Sequence, residues 1–225
     1  MNNRTFVKLI PIILSFFVFI STLTIVIMGV VFGFHSFEGK FLGGPNAEYL
    51  KYFTTLSNVY SGSVALFISI ILIKNFHQDI VFKKWAKIIF LSAVTSTSLT
   101  FLTVLFFLAP TYYLNGYNFF MMYKNDMFFF HFLNPLLCLF IYLFFFKGDN
   151  LKLIEYIYAV IPMIIYTIFY SIFVLTGIWD DFYGFTFGGQ YYLVAIVIPV
   201  MLLVTYLTAL GINILNNFIV TRRKY

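Results

Sequence analysis

The chain has 225 residues, of which 62% are hydrophobic and 10% charged, with a formal net charge of +6. A soluble domain carries about 25% charged residues, so this composition excludes a cytosolic enzyme and a disordered chain, and a single cysteine, Cys138, excludes a disulfide scaffold. The basic excess sits in short segments between apolar runs, which reads as membrane orientation rather than nucleic-acid binding.

A helix needs roughly 20 apolar residues to cross the hydrocarbon. Six runs qualify, at about 9–34, 52–73, 88–108, 127–146, 153–177 and 191–215. Backbone groups cannot stay unpaired in lipid, so these runs predict helices despite their β-branched and aromatic content. The expected fold class is all-α: one polytopic domain over residues 1–225, a bundle of six transmembrane helices in a bacterial plasma membrane. The first run follows Arg4 and Lys8 and resembles a signal peptide. It is too long for one and no A-x-A site follows, so it reads as an uncleaved anchor.

Placing the N-terminus inside puts Arg4, Lys8, Lys74, Lys83, Lys84, Lys87, Lys147, Lys152, Arg222, Arg223 and Lys224 inside and only Lys40, Lys51 and Lys124 outside. The positive-inside rule then puts both termini in the cytoplasm. Trp179, Tyr183, Tyr191 and Tyr192 are expected to ring the outer interface, and Trp85 the inner one.

The second run opens with Lys51-Tyr52-Phe53-Thr54-Thr55-Leu56-Ser57-Asn58. Thr54 and Asn58 are four apart and share a helix face. The third run carries Ser92, Ser96, Thr100 and Thr103 along one face, a stripe that suits helix packing better than a pore. The fourth run contains His131-Phe132-Leu133-Asn134-Pro135. Pro135 has no N–H, so the carbonyl of residue 131 should lose its helical partner and the helix should loosen there. Histidine is a general base near neutral pH; its bland reading is an interfacial ring whose tip faces headgroups. The second and fourth runs both enter from outside, so Thr54 and His131 should lie at similar depth. A hydroxyl and an imidazole at one depth can form a nucleophile–base pair if their helices are neighbours. Asn58 and Asn134 are the candidate oxyanion donors, and Asp180, Asp181 or Glu48 could orient His131 from outer loops. The fifth run has Glu155 about a turn inside. No charge occupies mid-helix, which argues against an ion-coupled transporter or a voltage sensor. No cofactor fingerprint or metal-ligand spacing occurs, so no cofactor or metal is expected.

The segments Phe53-Thr54-Thr55-Leu56-Ser57-Asn58 and His131 with Pro135 resemble the androgen-induced-gene family of six-span membrane proteins. The first matches the Phe-Thr-x-x-Ser-Asn signature of its bacterial Pr6Pr-type relatives. Animal members are threonine hydrolases that cleave esters of branched fatty acids carried on hydroxy fatty acids, and a related six-span group includes acyltransferase-like members. The resemblance implies Thr54 as nucleophile, with Thr55 the adjacent alternative, and His131 as base. It also implies a fatty-acyl ester substrate drawn from the membrane lipids. The competing readings are a non-catalytic protein, such as a small channel, lipid-binding protein or complex subunit, and a bundle whose polar residues only pack helices.

Overall fold

The computed structural model describes residues 3–36, 38–41, 43–78, 80–186 and 188–222. Arg223 and Lys224, both counted in the orientation argument, lie outside the described residues. Six helices are long and apolar enough to cross a membrane: α1 (Asn3–Val30), α2 (Phe53–Lys74), α3 (Lys84–Leu114), α4 (Asp126–Phe145), α5 (Leu153–Leu175) and α6 (Tyr191–Arg222). The chain is an all-α, multi-pass membrane protein. Several of the expected boundaries move. α1 stops at Val30 rather than residue 34, because Gly33 takes φ +62° and Phe34–His35 (β1) pairs with Lys40–Phe41 (β2) in a small antiparallel hairpin. α3 begins at Lys84 and runs to Leu114, longer at both ends than expected, and α6 continues to Arg222.

The loops segregate. The described residues of segments 31–52, 115–125 and 176–190 lie at one end, where Asn125 Nδ2 donates to the Ser36 carbonyl at 2.7 Å and Tyr166 Oη of α5 to the Lys51 carbonyl at 2.8 Å. Segments 75–83 and 146–152 meet at the other, where the Phe82 amide donates to the Lys147 carbonyl and Lys84 pairs with Glu155 at 3.1 Å. Glu155 also accepts from the Lys152 amide, so it caps the start of α5 instead of sitting unpaired within it.

α3 is the central element, packing on α2, α4, α5 and α6. Lipid tails supply no hydrophobic drive between helices, so small residues and hydrogen bonds hold such a bundle. Ser92, Ser96 and Thr100 are buried. Ser96 and Thr100 bond back to their own helix, and Thr100 meets Ser57 of α2 at 3.2 Å. Thr103 instead walls an apolar cavity. At the 75–83 end, Asn213 accepts from Tyr142 Oη and donates to Tyr156 Oη, at 2.9 and 2.8 Å. Asn216 donates to the Tyr142 and Phe146 carbonyls. Lys87 is fully buried in the first turns of α3 and reaches Asn217 at 3.1 Å.

Candidate active site

Prolines set the geometry of two helices. In α4 residues 129–133 form a π-turn, in which the Asn134 amide donates to the Phe129 carbonyl, five residues back. In that register the next donor, to the Phe130 carbonyl, would be residue 135. Proline has no N–H to give. Asn58 of α2 fills the vacancy: its Nδ2 donates to the Phe130 carbonyl at 3.1 Å and to the Thr54 carbonyl at 2.8 Å. The carbonyl that Asn58 satisfies is that of Phe130, one residue before the His131 carbonyl that the α-helical register points to. α3 repeats the device with a π-turn at Val104–Leu108 ahead of Pro110. Single π-turns recur at functional sites.

The Asn58 bridge brings Thr54 and His131 to one polar chamber of about 430 Å³ at the 31–52 end. Its walls include Thr54, Thr55, His131, Asp126, Tyr49 and Tyr183. Thr54 and His131 do not bond to each other directly; they share the chamber. His131 Nδ1 lies 2.7 Å from the Met122 carbonyl. A carbonyl only accepts, so Nδ1 carries the proton, and in the neutral ring Nε2 holds the lone pair. Among the described residues no hydrogen bond engages the Thr54 hydroxyl. A second, apolar chamber of about 370 Å³ lies on the other side, walled by Phe53, Leu99, Phe107, Met163 and Met201. Thr54, Leu108 and Tyr183 wall both chambers. Thr55 walls only the polar one, which separates the two threonines.

The two asparagines are committed elsewhere. Both Nδ2 protons of Asn58 go to carbonyls. Asn134 accepts from Ser21 Oγ at 2.9 Å and donates to Thr22 Oγ1 at 3.2 Å, tying α4 to α1. Asn58 thus has no donor left for an oxyanion, and Asn134 is not among the chamber's wall residues. Asp181 does not orient His131 either. It accepts from Tyr170 Oη, the Phe185 and Thr186 amides and Thr186 Oγ1, at 2.6–2.9 Å, and so folds the 176–190 loop. Burial works to raise its carboxyl, but those donors outweigh burial and hold it below the usual range. Glu48 sits at the chamber wall, paired with Lys51 at 3.1 Å.

Three residues here take a part in the site that the sequence reading did not give them. Tyr183, expected at the outer interface, lies in the 176–190 loop against the start of α2. Its hydroxyl accepts from the Phe53 amide at 2.9 Å and caps α2, whose N-cap residue Tyr52 makes no side-chain cap. Burial pushes this phenol up to about 12, against the pull of the Phe53 and Thr54 amides. Asp126 opens α4, aimed by Asn125, which takes φ +53° and donates to the Ser36 carbonyl at 2.7 Å. Tyr49 Oη and Ser36 Oγ donate to Asp126 Oδ2 at 2.5 and 2.6 Å. Burial raises the Tyr49 phenol well above its ordinary value, and the Asp126 charge adds to this. The sequence signal for Asp126 was an acidic residue at the start of an apolar run, five residues before His131. No family model, curated protein or solved structure matches the chain.

Proposed function

We propose that this membrane protein is an acyl-ester hydrolase or acyltransferase, with Thr54 as nucleophile and His131 as base. The observation that carries the reading is that both residues wall one chamber while Met122 fixes the His131 tautomer with its lone pair on Nε2. Thr54 Oγ1 attacks the ester carbonyl and Nε2 takes its proton. The same proton then goes to the departing alkoxide. Water, or a second alcohol, resolves the acyl-threonine. Tyr183, at the wall of both chambers beside Thr54, is the hydroxyl placed to steady the oxyanion. The reading accords with the resemblance of residues 53–58 and 131–135 to the androgen-induced-gene family. The packing reading keeps Asn134 and the α3 stripe, whose bonds all join or line helices.

The test is turnover of p-nitrophenyl esters of graded chain length by protein in neutral detergent. Thr54→Ala and His131→Ala, expressed and folded as the wild type, should each lose at least about a hundredfold. Undiminished turnover in Thr54→Ala would remove the proposal.

A further inference from the structure

The acyl chemistry above makes no use of Asp126. This carboxylate is 7% exposed and walls the polar chamber. Its Oδ2 is held by Ser36 and Tyr49, but Oδ1 is buried with no hydrogen-bond partner. An unpartnered, buried carboxylate oxygen is costly unless a nearby cation balances its charge. The other charged group of the wall, Glu48, is already balanced by Lys51. No lysine or arginine is among the described wall residues, and the two histidines there are His35 and His131. The basic groups that share the wall with Asp126 are thus imidazoles alone, His131 among them interacting with its charge, and no permanent cation of the described wall residues faces it.

The second observation is independent of charge. Tyr49, Tyr52, Tyr112, Phe130, Phe182 and Tyr183 all wall the same chamber. Aromatic faces attract cations, and cages of such rings are how proteins hold quaternary ammonium groups. The rim carries an internal example, since Lys51 Nζ lies 5.5 Å from the Tyr52 ring centre and 5.3 Å from that of Phe182.

We propose that the polar chamber binds an ammonium head group, with Asp126 supplying the opposing charge and the aromatic rings the cage. The chamber volume falls within the usual range for small-molecule sites. The apolar chamber beyond Thr54 takes the attached chain. On the hydrolase reading, on which this last step alone rests, the substrate class is an ester of an amino alcohol, with its carbonyl at the junction.

Titration calorimetry on the full chain in maltoside micelles tests the head-group site without any turnover. The ligands are the hexyl ether of choline, which cannot be hydrolysed, and its uncharged isostere, 3,3-dimethylbutyl hexyl ether. The cation should bind at least tenfold more tightly to the wild type, and Asp126→Asn should abolish that preference. Thr54→Ala should keep the preference while losing turnover, so the two readings fail separately. Equal affinity of the two ligands for the wild type overturns the proposal, as does a preference that survives Asp126→Asn. Should Asp126→Asn not fold, Tyr52→Leu substitutes: Tyr52 is 39% exposed and makes no bond to Asp126. It should weaken the cation at least threefold and the isostere much less, and equal effects on both overturn the cage.

Discussion

Asn58 and Asn134 carry the same side chain, and their surroundings give them different consequences. Asn134 joins Ser21 and Thr22 on α1, away from the chamber walls. Asn134→Ala should therefore cost about 0.6–1.7 kcal/mol of stability, from the average to the largest value for interhelical bonds, with turnover per folded molecule unchanged. Asn58→Ala should cost a similar amount and also lower turnover roughly tenfold or more, because the bridge that sets Thr54 against α4 is gone. Thermal unfolding and turnover of the two variants, read side by side, separate a packing amide from a positioning one. Asp181 adds a pH dependence. Its carboxyl is held below the ordinary value, so its support of the 176–190 loop is complete above about pH 4 and is lost as pH falls through the lowered value. Protease cleavage of that loop should accelerate in acid, and Asp181→Asn should show the fast rate already at neutral pH. Thr54, Asn58, His131 and Asn134 were legible in the sequence because polar residues in apolar runs stand out. Tyr49 and Tyr183 were not, because their partners Asp126 and Phe53 lie 77 and 130 residues away.

At the level of the helices, the π-turns before Pro110 and Pro135 are the decisive local events. Each shifts the hydrogen-bond register by one residue, and in α4 this opens the carbonyl that Asn58 takes. Pro135→Ala restores an N–H that competes for the Phe130 carbonyl. Turnover should fall by up to about a hundredfold, the cost of a displacement near 1 Å, without loss of thermal stability. Close approach of helices matters equally. A Cβ on Gly29 of α1 would lie 2.7 Å from the Tyr49 ring, and one on Gly62 of α2 would lie 3.0 Å from Thr22 Cβ. Gly62→Ala should separate α1 from α2 and cost about 1–3 kcal/mol. Gly29→Ala should displace Tyr49 from Asp126, a change readable in the absorbance titration of that phenol. Pro135 announced a disturbed helix from the sequence alone. The π-register was not readable there, because it depends on which side chain arrives to satisfy the freed carbonyl.

The whole bundle was the most legible level. Six apolar runs separated by short basic or polar segments leave little freedom in lipid, and all six helices are present. Boundaries slipped where a helix end is fixed by tertiary contact: α3 extends because its first turns bury Lys87 and its last pack against Met122 and Phe119. Orientation rests on the charge asymmetry, with the 31–52 end expected outside. Cys138 is buried, so single new cysteines report cleanly. A membrane-impermeant maleimide should label Tyr117→Cys on intact cells and Gln78→Cys only after permeabilisation; the reverse pattern would invert the topology.

Thr54 stands where a wet compartment meets a greasy one. A molecule cut at that boundary would yield two fragments with opposite solubilities, each already in the compartment that suits it. The polar fragment would leave past the 31–52 loops toward water, and the chain would remain on the apolar side. Departure by separate exits disfavours recombination of the fragments, so the partition itself would give the reaction its direction.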